Sequence, residues 1–291
     1  MAFSSGFVSI IGRPNTGKST LLNAILGEKI SIVSKRAQTT RNVIKGVKNV
    51  PQGQIVFLDT PGIHKGRGAL SSFMMREAMN SIKDVDALIL LVEPALPVKG
   101  DMVIIEALKN TRAPVILCIN KVDTINKLDI LPVIEAYKPL YPFHDIVPLS
   151  ALKGFGVELV LEILQALLPE GPPFFPEDMV TDQPERFMVS EMVREKVFRL
   201  THQEIPYSTA VVVEEFREGP KVISIRAVIN VERDSQKGII IGKKGAMLKK
   251  IGTLARGEIE RFLGTKVFLE LFVRVKKDWT SNERSLREFG Y

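Results

Sequence analysis

The chain has 291 residues, of which 45% are hydrophobic and 25% are charged, and it contains one cysteine and three histidines. Its length accommodates two ordinary domains, and its composition is typical of a soluble globular protein. A single cysteine excludes an internal disulfide, and the lack of Cys/His zinc spacings also favours a reducing, cytoplasmic compartment. The net charge of +7 is concentrated in residues 185–291, where 21 Lys and Arg face 15 Asp and Glu. We therefore expect a polyanionic partner for this carboxyl-terminal third.

The first 168 residues alternate apolar segments with amphipathic ones. The apolar segments predict buried strands at 7–12, 54–59, 87–92, 114–120 and 145–150. Amphipathic segments at 18–26 and 101–110 predict intervening helices. This rhythm is typical of an α/β fold with a mostly parallel sheet, and it predicts a first domain over residues 1–170. No apolar run approaches the roughly 20 residues that cross a bilayer.

Residues 168–186 contain five prolines: Pro169, Pro172, Pro173, Pro176 and Pro184. Proline disfavours both helix interiors and central strands, so this segment predicts an extended linker over residues 171–185. The remainder, 186–291, predicts a smaller α+β domain. Its predicted elements are a helix at 186–203, strands at 210–216 and 221–232, two helices, the second at 246–263, and a strand at 266–275.

The segment after the first predicted strand matches a phosphate-binding loop, or P-loop, with the pattern Gly-x-x-x-x-Gly-Lys-Ser. It lies between a strand and a helix, which is the context in which such a loop wraps nucleotide phosphates. Lys18 is predicted to reach the terminal phosphates, and Ser19 is predicted to ligate Mg²⁺. The candidate nucleotide-binding residues are Gly12, Arg13, Pro14, Asn15, Thr16, Gly17, Lys18, Ser19 and Thr20.

A second motif, DTPG, comprises Asp59, Thr60, Pro61 and Gly62 and follows the strand predicted at 54–59. A carboxylate at this position can hold a metal ion through water, and the N–H of Gly62 can reach a terminal phosphate. Its distance from the P-loop predicts that DTPG forms the metal side of a nucleotide site.

A third motif, NKVD, contains Asn120, Lys121 and Asp123 after another predicted strand. Asp123 can accept two hydrogen bonds from guanine, whereas adenine offers no such donor pair, so the motif predicts selection of guanine. Asn120 is expected to brace the base loop, and Lys121 is expected to lie along the ring face. The tripeptide SAL completes the predicted base pocket with Ser150, Ala151 and Leu152.

These motifs, in this order, resemble those of the translation-factor-related GTPases over residues 7 to about 168. The resemblance implies GTP, Mg²⁺, hydrolysis to GDP, and two switch segments around residues 33–42 and 60–75. It implies a switch threonine that closes over Mg²⁺, which we assign to Thr40 in preference to Thr39. Lys18, Thr40 and Gly62 are thus the candidate catalytic residues, and Ser19, Thr40 and Asp59 are the candidate metal ligands. The resemblance also implies that Asn15 recruits K⁺ beside the phosphates.

One departure concerns the residue after Gly62, which is a water-orienting glutamine in Ras-like enzymes and Ile63 here. Isoleucine cannot orient water, so we expect slow intrinsic hydrolysis, aided by K⁺, by a backbone-held water or by a bound partner. His64 follows, and we interpret it as a bystander rather than a base.

The sequence GKKG at residues 242–245 lacks the spacing of a P-loop and fits the GXXG loop of a KH domain, which clamps single-stranded nucleotides. The alternative is a glycine-rich helix connection with solvated lysines, but the order of predicted elements resembles a type II KH domain. The bases are predicted to rest on a groove built by residues 238–241 and 223–231. The candidate RNA-binding residues are Lys237, Ile241, Gly242, Lys243, Lys244, Gly245, Lys249 and Lys250.

The whole chain, a GTPase domain followed by one KH domain, resembles the Era family of bacterial GTPases. The resemblance implies binding near the 3′ end of 16S ribosomal RNA, a role in 30S subunit assembly, and loose contact with the inner membrane. We also expect a monomer. Two alternatives stay open: a membrane-associated regulatory GTPase whose basic domain contacts anionic lipid, and a passive RNA-binding subunit with a structural nucleotide site. The carboxyl-terminal tail from residue 279 is either a packing element or a partner contact.

Overall fold

The computed structural model describes residues 3–34, 36, 38–63 and 68–291. The chain folds into two compact units, and residues 183–291 belong to the second. Within these described ranges, no helix combines the length and the apolar character that are needed to cross a membrane.

The first unit is built on a six-stranded sheet with the strand order β2-β3-β1-β4-β5-β6. Its strands are β1 (Ser4–Gly12), β2 (Ile44–Val50), β3 (Gly53–Asp59), β4 (Ala87–Val92), β5 (Val115–Ile119) and β6 (Asp145–Pro148). Its helices are α1 (Lys18–Leu26), α2 (Ala69–Asn80), α3 (Lys99–Leu108), α4 (Ile130–Tyr137) and α5 (Val157–Leu167). All neighbouring strands are parallel except β2 and β3, which confirms the predicted mostly parallel sheet.

The central strand β1 lies between β3 and β4, so the chain connections on its two sides diverge. In open α/β sheets this divergence opens a cleft at the carboxyl ends of the strands, where ligands bind. The P-loop and the DTPG and NKVD motifs all follow carboxyl ends of strands and therefore meet at this edge. Strand β2 is absent from the predicted elements because its sequence, IKGVKNV, mixes lysines with apolar residues at the sheet edge.

The proline-rich segment packs on the first unit rather than joining the two units. The buried side chain of Gln54 accepts hydrogen bonds from the N–H groups of Phe174 and Phe175, at 2.8 and 2.9 Å. The N–H of Val47 on edge strand β2 donates to the carbonyl of Val180 at 2.7 Å. The linker prediction for residues 171–185 is therefore wrong up to Asp182. The segment contains a turn in which the N–H of Met179 donates to the carbonyl of Pro176, and the polar groups of edge strand β2 bind its backbone.

The second unit contains a three-stranded sheet with the order β7-β8-β9. Its strands are β7 (Ala210–Arg217), β8 (Val222–Val231) and β9 (Lys266–Val275), and its helices are α6 (Glu185–Leu200), α7 (Asp234–Ile241), α8 (Ala246–Leu263) and α9 (Glu283–Glu288). Strand β8 is antiparallel to β7 and parallel to β9. The order α6-β7-β8-α7-α8-β9 is the predicted smaller α+β arrangement, with the GKKG sequence between α7 and α8.

The carboxyl-terminal tail packs against its own unit. Trp279 is fully buried, and its indole N–H donates to the carbonyl of Ser208 at 2.9 Å. The ring of Tyr291 stacks on Trp279 at a centroid distance of 5.9 Å, and Phe289 meets the same indole edge-on. Of the two roles left open for the tail, packing is the one that the structure supports.

Candidate functional site

The P-loop connects β1 to α1, and its conformation depends on close backbone contacts. Gly17 has a φ of 102°, and a Cβ at this position would lie 2.3 Å from the side-chain nitrogen of Asn120. Thr16 is buried, and its hydroxyl donates to the Arg13 carbonyl at 3.0 Å. Thr20 lies in the first turn of α1. The amino terminus of α1 thus begins directly at the loop, where its dipole favours an anion.

Lys18 is buried inside the loop, and its ammonium group caps backbone carbonyls. Nζ donates to the carbonyls of Gly12 at 3.2 Å and of Arg13 at 2.9 Å. Burial lowers the pKa of Lys18 to about 8, against the opposing attraction of Asp59. In the described part of the chain the hydrogen-bond partners of this ammonium group are neutral carbonyls, and an anion would stabilise the buried charge further, so the site is prepared for phosphate.

Three hydroxyl groups converge on the buried carboxylate of Asp59. The hydroxyls of Ser19 and Ser31 each donate to Oδ2 at 2.7 Å, and the Thr40 hydroxyl lies 3.5 Å from the same atom. Oδ1 of Asp59 is buried and has no hydrogen-bond partner among the residues that the structure describes. Burial raises the pKa of the Asp59 carboxyl, while hydrogen bonds from the hydroxyls and the charge of Lys18 oppose the rise.

The choice between the two switch threonines has a geometric basis. The hydroxyl of Thr40 lies 2.9 Å from that of Ser19, whereas the hydroxyl of Thr39 donates to the carbonyl of Arg36 at 2.7 Å. The structure therefore brings Thr40, and not Thr39, to Ser19 and Asp59.

This cluster fits a magnesium ion. Mg²⁺ prefers oxygen ligands, few of them from the protein, and completes its shell with water and phosphate. Two hydroxyls and a carboxylate with an unpaired buried oxygen form such a donor set. Among the described residues there is no group of three or more His, Cys, Asp or Glu side chains that could hold a metal, so softer metals have no comparable site there.

The rest of DTPG lies against the P-loop. The Thr60 hydroxyl donates to the carbonyl of Ile10 at 2.8 Å, and Pro61 is buried. A Cβ at Gly62 would lie 2.6 Å from the backbone nitrogen of Pro14, so only glycine fits between the two loops. Ile63 is 3% exposed and packs in the core of the first unit. His64 and residues 65–67 of the second switch segment, like residues 35 and 37 of the first, lie outside the described residues.

Asn120 joins the NKVD motif to both neighbouring loops. Its side-chain nitrogen donates to the carbonyl of Thr16 at 2.8 Å, and its oxygen accepts from the N–H of Ala151 at 2.9 Å. The hydroxyl of Ser150 donates to Oδ1 of the exposed Asp123 at 2.6 Å, which orients that carboxylate. The P-loop, NKVD and SAL thus form one connected structure, although the side chain of Leu152 is 74% exposed.

Lys121 also reaches back to the P-loop. It adopts a left-handed backbone conformation with φ of 65°. Its Nζ donates to the carbonyl of Asn15 at 2.6 Å and to the carboxylate of Glu93. Asn15 is itself exposed and left-handed, with φ of 67°.

In the second unit, the GKKG turn presents lysines to solvent at the start of α8. Gly242 and Gly245 have φ values of 71° and 77°, and a Cβ at Gly242 would lie 2.7 Å from that of Met247. Lys243 and Lys244 are at the surface, and the next two lysines of α8, Lys249 and Lys250, are also exposed. Lys237 and Ile241 are only half-exposed.

A groove of about 390 Å³ runs from this turn along α8. Its walls come from α8 and β9, and it is lined by Gly245, Leu248, Lys249, Gly252, Thr253, Arg256, Leu269 and Leu271. Residues 238–241 and 223–231, which the sequence assigns to the base groove, do not line this cavity, and their contact with RNA stays a prediction. Helix α8 crosses over β9, the neighbour of β8 in the sheet, and Ile240 is buried in the core.

Comparison with known proteins identifies both units. A family model described as 50S ribosome-binding GTPase matches residues 7–121, and a KH-domain model matches residues 204–280. The chain is 60% identical to GTPase Era of Geotalea uraniireducens, over 99% of this chain and 98% of that protein. It belongs to the Era family of GTPases. GTPase Era of Geobacter sp. strain M21 is 59% identical over the same shares of the two chains.

Solved Era structures match this Era-family chain over 99% of both lengths. One is Era in complex with MgGDPNP and nucleotides 1506–1542 of 16S ribosomal RNA, with a TM-score of 0.97 and 43% identity. Another is a variant of Aquifex aeolicus Era bound to GDP·AlF4⁻, with a TM-score of 0.97 and 42% identity. The predicted combination of a P-loop GTPase domain with a KH domain is confirmed.

Several site residues of this Era-family chain carry no sequence signal. Ser31 binds Asp59 from an irregular segment, and Glu93 binds Lys121 from the end of β4. Asp101 binds the P-loop residue Arg13 from α3. None of these three residues belongs to a motif, because the contacts join segments that only the folded sheet brings together.

Proposed function

We propose that this chain is a GTP-hydrolysing switch that binds 16S ribosomal RNA near its 3′ end and assists assembly of the 30S subunit. The observation that carries the nucleotide part is the buried cluster of Asp59, Ser19 and Thr40 beside Lys18. The lysines of the GKKG turn beside a groove support the RNA part. The solved Era complex with MgGDPNP and an rRNA fragment supports both.

In this proposal Ser19, Thr40 and Asp59 hold Mg²⁺, Asp59 through its unpaired Oδ1 and water. The ion neutralises charge on the phosphate oxygens when GTP is bound. Lys18 exchanges the carbonyls of Gly12 and Arg13 for phosphate oxygens, which compensates its buried charge. Gly62 donates its N–H to the terminal phosphate, so loss of that phosphate releases the loop that follows it.

Guanine recognition is assigned to Asp123, oriented by Ser150, with Lys121 along the ring. Asn120 keeps this base loop at a fixed distance from the P-loop, because it binds Thr16 and Ala151 at once. The phosphates and the base therefore bind to one connected group of loops, which reduces the entropy cost of binding.

Hydrolysis is proposed to be slow without help. The side chain of Ile63 packs in the core and offers no group that could orient water. K⁺ recruited beside Asn15, or a bound partner, supplies the missing assistance. Single-turnover hydrolysis in KCl and in NaCl at equal ionic strength tests this, and equal rates would exclude the role of K⁺.

The RNA is proposed to lie in the groove between α8 and β9. The glycines let the nucleotide backbone approach the turn, and the lysines supply affinity that falls with added salt. We propose that the RNA-binding unit begins after Asp182, which the division of the chain into two compact units supports. GTP is proposed to favour an RNA-accepting state. Equal RNA affinity with GTP analogue, with GDP and without nucleotide would contradict this gating.

A charge-reversal pair tests the RNA surface. Lys243→Asp with Lys244→Asp is expected to abolish binding of a fluorescent fragment from the 3′ end of 16S rRNA while GTP hydrolysis stays near normal. Lys221→Asp is the control. Lys221 is next to Val222, which pairs with Lys266 just after the carboxyl end of α8. Because the 18 residues of α8 span about 27 Å, Lys221 lies about that far along the helix from the turn. An equal loss of RNA affinity in Lys221→Asp would indicate that the double substitution acts through the overall charge and not through the GKKG turn.

We also propose that the chain acts as a cytoplasmic monomer that contacts the inner membrane only peripherally. The surface lysines that suit RNA also suit anionic lipid headgroups. Competition between the 16S rRNA fragment and vesicles containing anionic lipid separates the two uses. Preferential sedimentation with vesicles would favour the membrane-associated regulatory GTPase, and equilibrium ultracentrifugation measures the oligomeric state.

A further inference from the structure

Arg13 follows the first P-loop glycine, yet its side chain binds a different element. The guanidinium Nε donates to Oδ1 of Asp101 in the first turn of α3 at 2.7 Å. The Arg13 side chain passes over Gly100, where a Cβ would lie 2.6 Å from Cδ of Arg13. The side chain of Asp101 is 1% exposed and that of Arg13 is 25% exposed, so the pair is largely shielded from water.

Asp101 is itself held from two further sides. Its Oδ2 accepts from the hydroxyl of Tyr137 on α4 at 3.1 Å and from the N–H of Val98 at 3.1 Å. The carboxylate is therefore fixed by α3, by α4 and by the segment before α3. A buried carboxylate with partners on both oxygens cannot turn away from the arginine without losing hydrogen bonds.

The backbone of Arg13 is hydrogen-bonded to other residues of the P-loop. Its carbonyl accepts from Nζ of Lys18 at 2.9 Å and from the hydroxyl of Thr16 at 3.0 Å. The ion pair with Asp101 thus fixes Arg13 in the loop, and the Arg13 carbonyl is bound by Thr16 and, before a nucleotide arrives, by Lys18. A loop already held in its binding conformation loses less entropy when a ligand arrives.

We propose that Asp101 is a positioning residue for the nucleotide, acting through Arg13 to hold the P-loop in its phosphate-binding conformation. The proposal rests on the proposed function, in which that loop binds guanine nucleotide. It implies that GDP and GTP depend on Asp101 equally, because both place phosphates in the same loop. The hydrogen bonds of Asp101 to described residues involve neither the base motif nor the cluster around Asp59, so the GTP-to-GDP preference stays unchanged.

The test measures the affinity of full-length protein for fluorescent GDP and for a fluorescent GTP analogue. Asp101→Asn keeps the shape but removes the charge, and we expect both affinities to fall by about 10- to 100-fold, as for loss of a charged hydrogen bond. Arg13→Met should produce the same loss and leaves the carboxylate with its two other partners. In an Arg13→Met background, Asp101→Asn should add less than about twofold, since coupled residues are not additive.

Asp86→Asn is the matched control. The carboxylate of Asp86 accepts from the N–H of Phe7 at 2.7 Å, on the side of the sheet away from the carboxyl end of β1. Asp86→Asn makes the same chemical change as Asp101→Asn and should lower stability. At temperatures well below unfolding it should leave the affinities for GDP and for the GTP analogue within about twofold of wild type. A purely structural role would instead lower affinity in both variants in proportion to their loss of stability.

Three results would overturn the proposal: wild-type affinity in Arg13→Met, wild-type affinity in folded Asp101→Asn, or an undiminished effect of Asp101→Asn in the Arg13→Met background. Failure of the wild-type chain to bind GDP would count instead against the proposed function. If Asp101→Asn does not fold, Arg13→Met alone decides the question, because its side chain is partly exposed.

Discussion

Asn120 offers the sharpest test of how the nucleotide site is held together. In Asn120→Ala the carbonyl of Thr16 and the N–H of Ala151 lose their partners, and both residues are buried. An unsatisfied buried polar group costs about 1–3 kcal/mol, so two of them should lower the free energy of unfolding of the first unit by about 2–6 kcal/mol. Even the lower figure should reduce its melting temperature by at least about 4 °C.

The assay can separate the two units, because the chain has one tryptophan, Trp279, and it is buried in the second unit. Circular dichroism follows both units, whereas tryptophan fluorescence follows the second. We expect the substitution of Asn120 to shift only the first-unit transition, to weaken GDP binding by about tenfold or more, and to increase hydrogen exchange at the amide of Ala151.

The matched control is Asn126→Ala, in the same loop region. The Asn126 amide donates to Asp129 at 3.3 Å on an exposed surface, so its removal should change stability by less than about 0.5 kcal/mol. An unchanged first-unit transition in Asn120→Ala would refute the bracing role. A shift of the tryptophan transition as large as that of the first unit would also refute it.

Three further predictions concern the nucleotide site. The pKa of Lys18 is about 8 in the folded state instead of 10.5. Its buried charge therefore lowers the stability of the nucleotide-free unit by the full amount below pH 8, and this loss of stability shrinks as the pH rises to 10.5. Lys18→Met should therefore be more stable than wild type at pH 7, by up to about 3 kcal/mol, with the advantage lost by pH 10.5; thermal unfolding across this pH range measures it, and a pH-independent difference would contradict it. Asp123→Asn should weaken GTP binding and improve xanthosine triphosphate binding, and unchanged GTP affinity would remove Asp123 from the base pocket. Thr40→Ala should weaken Mg²⁺-dependent binding of a GTP analogue by about tenfold while Thr39→Ala has a smaller effect, and the reverse order would reassign the switch threonine.

Much of this protein is readable from local sequence. The P-loop, DTPG and NKVD each combine a buried strand with a turn whose residue types follow from phosphate or base chemistry. The GKKG turn is recognisable because the order of the predicted elements around it resembles that of a type II KH domain. Within each motif the functional residues lie within a few positions of one another, so their spacing along the chain already reflects their spacing in the fold.

The tertiary structure alone decided what binds these motifs from elsewhere. The proline-rich segment looks like a linker because proline composition describes only its own backbone, while the polar edge that binds it belongs to β2 and Gln54. Likewise, β9 rather than β8 lines the groove because helix α8 crosses the neighbouring strand. Asp101 reaches Arg13 across 88 residues, and a buried ion pair of this kind forms only when packing removes both groups from water. Sequence spacing does not predict such contacts, because their energy depends on burial and on distance in space.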